Sequence, residues 1–219
     1  MVTLTETQKQ DRRQQLLDAA LRCFSRNGFH NTKTADIVKE AGVAQGTFYL
    51  YFSTKDDVIA ALADDRRQGE ALINAIAGAE VDPIAGLSLM LDLHGRSLSD
   101  PARTAERRVA VQGWAEALRN DAIREKLLAN TARVTAEIAR LIARGQETGQ
   151  FRASADPQAV AGALVALFRG LTLQAAWDEG QGAQPAGDAI GDMLRGALAP
   201  ADDLLNMARA AQAAERRGR

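Results

Sequence analysis

One cysteine, two histidines and five prolines among 219 residues leave several functions without their chemistry. Cys23 alone cannot close an internal disulfide or complete a cysteine zinc cluster, which suits a reducing compartment. His30 and His94 lack the carboxylate or second-histidine spacing of a metal centre. There is no glycine-rich phosphate loop and no nucleophile elbow, so no enzyme motif emerges. An excess of one charge is missing too. The net charge of -1 excludes a uniformly basic coat for nucleic acid or anionic membrane, though not a local patch. The longest apolar run, Val160 to Leu173, is broken by Arg169 and falls short of the ~20 residues that span a bilayer. The first residues, MVTLTETQKQDRRQQ, lack the apolar stretch of a signal peptide. The expectation is a soluble cytoplasmic protein with no membrane partner, no cofactor and no metal.

What is present is a helical pattern. Hydrophobic residues make up 46% and charged residues 25%, as in ordinary globular chains. Asp-Pro occurs at 82–83, 100–101 and 156–157. Aspartate accepts the free backbone N–H groups of a helix start, and proline fits the first helical position, where no N–H is needed. Between these points apolar residues recur every three or four positions without β-branched alternation. The reading is all-α, with about nine helices near 8–27, 34–41, 45–51, 55–79, 83–99, 101–118, 121–147, 157–179 and 186–199. The Gly- and Gln-rich stretch 178–187 reads as a loop. Three units follow: a head over 1–54, a larger helical body over 55–203, and a flexible tail over 204–219.

The head is distinct in composition. Six of the ten aromatics lie by position 52, and residues 1–55 hold eight basic against five acidic side chains. With the whole chain at -1, the head carries +3 and the rest -4, which points the head toward an anion. Within it, TKTADIVKEAGVAQGTFYLYFSTKDDV (32–58) reads as two short helices joined at Gly42, with Val43 plugging the corner and Thr32 and Thr34 as caps. On the second helix Phe48 and Phe52 share one face, while Gly46, Thr47 and Leu50 point the opposite way and Tyr49 and Tyr51 flank them. Such a helix-turn-helix can place its second helix in the major groove of DNA. Small residues allow close approach to base edges, and tyrosine hydroxyls reach phosphates on either side. Ser53 and Thr54 start overlapping capping signals with Asp56 and Asp57, and Lys55 in that turn offers a phosphate seat.

The run Thr34, Ile37, Ala41, Gly42, Val43, Gly46, Thr47, Tyr49, Phe52, Lys55 and Val58 resembles the DNA-binding head of the TetR family of bacterial transcription regulators. Ala19, Ala20, Phe24, Gly28 and Phe29 resemble its first helix. The chain departs from the family at Ala44, where serine is frequent, and at Tyr51, where histidine is frequent. The resemblance implies a homodimeric repressor on a near-palindromic double-stranded DNA operator, its recognition helices about 34–36 Å apart. It also implies a small organic effector that enters the body and releases the heads. DNA contacts then fall to Thr34, Gln45, Gly46, Thr47, Tyr49, Tyr51 and Lys55.

The body is less specific. Met90, Leu93, His94, Trp114, Phe168, Gln174 and Trp177 lie on helices expected to line a ligand pocket. The resemblance puts dimerisation on the last two long helices, with Leu164, Leu167, Phe168, Leu171 and Leu194 as interface residues. The near-continuous apolar character of 160–171 agrees, since such a helix must be covered all round. Cys23 reads as a core residue, and His94 as a structural histidine rather than a metal ligand. Two other classes compete: an enzyme with scattered catalytic groups, and a helical ligand-binding or adaptor dimer that reads no DNA.

Overall fold

Helix starts in the computed structural model fall where the local chemistry places them. The structure describes residues 5–63, 82–179 and 183–200. The expected continuation of the fourth helix to 79 and the tail 204–219 lie outside these. Nine α-helices and one short 3-10 turn account for the regular structure of the described residues, with no strand among them. Helix α1 (Glu6–Asn27) opens with a reciprocal box in which the Gln8 N–H donates to Thr5 Oγ1 at 3.2 Å and the Thr5 N–H to Gln8 Oε1 at 2.8 Å. Helices α2 (Thr34–Ala41), α3 (Gln45–Tyr49) and α4 (Lys55–Ala63) complete the head.

Two Asp-Pro pairs open helices as expected. The Ala85 N–H donates to Asp82 at 2.9 Å ahead of α5 (Pro83–Ser99), and the Gln158 N–H donates to Asp156 at 3.0 Å ahead of α8 (Pro157–Trp177). The third pair, Asp100-Pro101, opens a 3-10 turn over Pro101–Arg103 instead, so α6 (Thr104–Glu116) starts later than the spacing suggested. Helix α7 (Asp121–Glu147) is capped by Asn120. Helix α9 (Ala183–Leu198) begins inside the stretch expected to be a loop. Pro185 falls in its first turn, where a missing N–H costs nothing.

Two cores organise the bundle. Leu16, Ala20 and Phe24 of α1 pack with Ile37, Phe48, Val58 and Ile59, and the same cluster takes in Val109 of α6 and Ile123 of α7. The apolar centre of the head therefore reaches into the body. The second core gathers Met90, Ile138, Ile142, Leu164 and Leu194 from α5, α7, α8 and α9. Where α4 crosses α6 the backbones touch: a Cβ on Gly113 would lie 2.5 Å from the Ala63 Cβ and 3.3 Å from the Ile59 carbonyl oxygen. At the end of α7, a Cβ on Gly145 would strike the Phe151 ring, whose place in the second core needs that glycine.

Helix α8 alone among the described helices is long and apolar enough to cross a membrane by length and composition, and a third of its apolar window is buried inside the protein. Arg107 is the buried charge of the body, 4% exposed. Its guanidinium donates to the carbonyls of Ala175 (3.3 Å), Ser97 (3.2 Å) and Asp100 (2.9 Å) and to Thr104 Oγ1 (2.8 Å), tying α6 to α5 and α8. Replacing it by methionine strands these acceptors. Urea unfolding should show Arg107→Met destabilised by about 3 kcal/mol, and a loss below about 0.5 kcal/mol would remove the clamp from the account.

Candidate functional site

The helix-turn-helix corner is set by backbone chemistry. Gly42 ends α2 in the left-handed region at φ 65°, its N–H donating to Lys39 O, and the Val43 N–H reaches back to Val38 O at 3.3 Å. Val43 packs on the head core. The cap of α2 differs from expectation. Thr32 is fully buried and its hydroxyl donates to the Gly28 carbonyl at 2.8 Å, while Thr34 is the first helical residue. Asp36 caps the helix instead, accepting from the Lys33 N–H at 2.8 Å. Ala44 precedes α3 with no side-chain cap.

Helix α3 has the two faces its sequence describes. Phe48 and Phe52 are buried with ring centroids 5.9 Å apart, anchoring it on α1 and α4. Gln45 and Gly46 are exposed, Thr47 is half-buried, and Tyr49 and Leu50 stand out at 55% and 78% exposure. A Cβ on Gly46 would meet nothing within 4 Å, so the fold itself has no need of a glycine there. Tyr51 is half-buried on the head core, and Thr34 is half-buried at the start of α2.

Lys55 occupies a different place from the expected phosphate seat. Its ammonium lies 4.4 Å from the Phe29 ring centroid and donates to the carbonyls of Phe29 (2.9 Å), Thr32 (3.1 Å) and His30 (3.3 Å). Three N–H groups meet three carbonyls, so the side chain clasps the α1–α2 loop. The cap beside it is as the sequence suggests: Asp57 accepts from the Ser53 and Thr54 N–H groups at 3.0 and 2.9 Å. The exposed cations Lys33, just ahead of α2, and Lys39 on it carry no ion pair among the described residues, whereas Arg22 and Arg26 are both spent on Glu40. Sequence reasoning counted Lys33 and Lys39 only as net charge.

Polar ties join head to body. His30 Nε2 lies 2.9 Å from Glu116, the Phe29 N–H donates to Gln112 at 3.0 Å, Asn120 donates to Asp56 at 2.7 Å, and Lys126 pairs with Asp57. Behind them a cavity of about 440 Å³ lies between α1, α4 and helices α5 to α8. Of the residues expected at a ligand pocket, Leu93, His94, Trp114 and Phe168 line this cavity. Met90 does not: it is fully buried in the second core. Gln174 and Trp177 are exposed on the outside of α8. Arg169 and Thr131, which the sequence reading passed over, also line the cavity, and Arg169 donates to the Thr131 hydroxyl. A lone charge inside an apolar helix was the signal for it. Burial pulls His94 down from the ordinary histidine range to about 4, so its ring is neutral near pH 7. No cluster with metal-binding composition occurs among the described residues.

The expected dimer residues separate. Leu164, Phe168, Leu171 and Leu194 are buried within the chain, and Leu167 remains outward at 41% exposure. The outer stripe of α8 is Gly162, Ala163, Ala166, Leu167 and Gly170, running on to Trp177, with Met193 exposed on α9.

Comparison with known proteins matches residues 16–62 to a model described as bacterial regulatory proteins, tetR family, and residues 93–199 to one described as BetI-type transcriptional repressor, C-terminal. Over 59 residues the chain is 41% identical to the fatty acid metabolism regulator protein of Bacillus subtilis, covering 27% of this chain and 30% of that relative. The structure of GusR from Salmonella enterica superposes at TM-score 0.68 with 26% identity, covering 89% of this chain and 98% of that one. FadR from Bacillus subtilis, solved in complex with stearoyl-CoA, shares the fold at TM-score 0.68 and 20% identity, covering 84% of this chain and 98% of that one.

The clasp assigns Lys55 to stability. Lys55→Met should lower the head's unfolding free energy by about 1–2 kcal/mol, because three carbonyls lose a charged donor. Thermal melts check this, and an unchanged melt would return Lys55 to the DNA contacts.

Proposed function

Because the chain belongs to the tetR family of bacterial regulatory proteins, a family of regulators and not of enzymes, we propose that it is a cytoplasmic, homodimeric transcription repressor released from a near-palindromic operator by a small organic ligand. The observation that carries the DNA reading is the outward face of α3, where Gln45, Gly46, Tyr49 and Leu50 project from a helix whose other side is sealed by Phe48 and Phe52. A glycine that the fold does not require is what close approach to a base pair requires. Gln45 and Thr47 read base edges. Tyr49, Tyr51 and Thr34 hold phosphates, with Lys33 and Lys39 adding attraction. Lys55 supports them through the loop it clasps.

Release follows from the cavity's walls, which include α1 and Ala61 to Ala63 of α4. A ligand that binds more tightly when α4 has shifted pulls the population toward heads spaced wrongly for the operator; equal affinity for both states would move nothing. FadR with stearoyl-CoA supports a body of this fold admitting a ligand that carries a long acyl chain. Dimerisation uses the outer stripe of α8, with Leu167 and Trp177 as its large apolar contacts. Glycine and alanine in that stripe let a partner helix approach closely. Leu164, Phe168, Leu171 and Leu194 belong to the chain's own core and play no part in the interface.

Selection of bound fragments from sheared genomic DNA of the source organism at near-physiological salt should recover a few sites sharing an inverted repeat. Recovery of nothing, repeated after refolding to strip any bound ligand, would favour the adaptor that reads no DNA. On a recovered site, Tyr49→Phe should weaken operator and random DNA alike, by about three- to tenfold, as loss of one phosphate hydrogen bond does. Thr47→Ala or Gln45→Ala should change which site is preferred, and loss confined to the operator in Tyr49→Phe would contradict its assignment. Leu167→Glu should sediment as a monomer and bind the full operator at least about tenfold more weakly, since one head then loses the other's effective concentration. A dimer that survives would move the interface elsewhere.

A further inference from the structure

Arg169 carries a charge that the cavity leaves unanswered. It follows Phe168 on α8, and its side chain both lines the cavity and reaches solvent, so it stands at an opening. Two contacts hold it there. Its guanidinium donates to the Thr131 hydroxyl, which in turn donates to the Leu127 carbonyl at 2.6 Å, and its Cζ lies 6.0 Å from the Trp114 ring centroid. No carboxylate among the described residues pairs with it. Burial pulls the guanidinium down from the ordinary arginine range, with no acidic neighbour to offset that. Arginine stays protonated even so, which leaves a cation partly withdrawn from water with most of its N–H groups uncommitted.

The rest of the lining does not supply the counter-charge. Arg13, Arg103, Arg107 and Arg169 face only Asp18 and Glu106. Glu106 is taken by Arg103 at 2.8 Å, and Asp18 stands exposed on α1, where water and salt screen it. Arg107 meets carbonyls and a hydroxyl rather than a carboxylate, so its charge adds to the positive potential while its donors are occupied. The remaining walls are largely apolar, with Leu17 of α1, Leu62 of α4, Leu127 of α7 and Val165 of α8.

Taking the cavity as the effector site, and so resting on the reading above, we propose that the ligand is an organic monocarboxylate with an apolar body, its carboxylate paired with the Arg169 guanidinium at the opening and its body filling the apolar interior. The planar fork of arginine matches two carboxylate oxygens, and such a pair is stronger where water is partly excluded. An ammonium would meet net repulsion. A neutral molecule would gain nothing from the uncommitted charge. A dianionic phosphate would lose a larger hydration shell than one guanidinium offsets. A volume of about 440 Å³ lies within the range that holds drug-sized molecules.

The test titrates the full chain by calorimetry at pH 7 with three probes on one scaffold: para-phenylbenzoate, para-phenylbenzamide and para-phenylbenzylamine. The carboxylate should bind at least about tenfold more tightly than the amide, as a hydrogen-bonded charge pair does, with the amine weakest. In Arg169→Gln, which keeps a donor for Thr131 but no charge, carboxylate and amide should bind alike. Arg169→Lys keeps the charge without the fork and should recover part of the preference. Equal binding of carboxylate and amide to the wild-type chain overturns the inference without any variant. So does tightest binding by the amine, no carboxylate binding at all, or a preference that survives Arg169→Gln. Recovered DNA fragments set the two readings apart. A carboxylate preference without release from those fragments sustains the ligand class and sinks induced release. Fragments released by the amide or the amine, with no carboxylate preference, sink the ligand class and leave the repressor standing.

Discussion

The close crossing of α4 and α6 governs the rest of the molecule. Gly113 brings the two backbones to contact at Ala63 and Ile59, closer than any side chain at that position allows. Packing at that separation cannot be compressed, so α4 can slide or turn on α6 but cannot come nearer to it. Above the crossing, Val58 and Ile59 sit in the same core as Phe24 and Phe48. Below it, Ala61 to Ala63 close one side of the cavity. A single helix of nine described residues thus belongs at once to the head and to the wall of the cavity. On the proposed function, coupling between the head and the cavity needs no long chain of intermediates, because one element is common to both.

The polar ties around this crossing act differently from the packing. His30 with Glu116, Asn120 with Asp56 and Lys126 with Asp57 are partly exposed and bridge head to body. Contacts of this kind contribute modestly and can be exchanged for water at little cost, so they orient the head without freezing it. The rigid part is apolar and the adjustable part is polar, the division a switch requires. Cys23 takes no role in it: buried against α2, its thiol is pushed up by desolvation and stays protonated.

The head was nearly all legible in the sequence. Its signals are local: Gly42 for the corner, Phe48 and Phe52 four apart for the anchored face, Asp57 for the cap of α4. Lys55 was not, because its partners lie some two dozen residues away on the α1–α2 loop and only the tertiary path brings them together. Asp36 caps α2 in place of the expected Thr32 or Thr34 for the same reason, the buried position of Thr32 turning its hydroxyl inward. In the body, two of the three Asp-Pro pairs marked α-helix starts, but the faces of the helices were not legible. A helix as apolar as α8 has no hydrophobic side to read, so Leu164 and Leu167 look alike in sequence, yet one is fully buried and the other stands at the exposed edge of the helix. The cavity was half visible for a related reason: aromatic residues suggested a lining, while the difference between Phe168 and Trp177 depends on which neighbours arrive.

The recognition helix carries a consequence for how such a protein can change. Five residues with no side-chain cap cannot hold a helix by themselves. The shape of α3 is borrowed from Phe48 and Phe52 and from the Gly42 corner, and Gln45, Gly46 and Leu50 add almost nothing to it. Substitutions at those exposed positions are therefore close to neutral for folding. A lineage can wander through alternative residues there, acquiring new binding sites in its genome one base at a time, while the scaffold that presents them stays intact. Separation of what is read from what is held makes the surface evolvable, and a gene duplicate could take up a different regulon without first recovering lost stability.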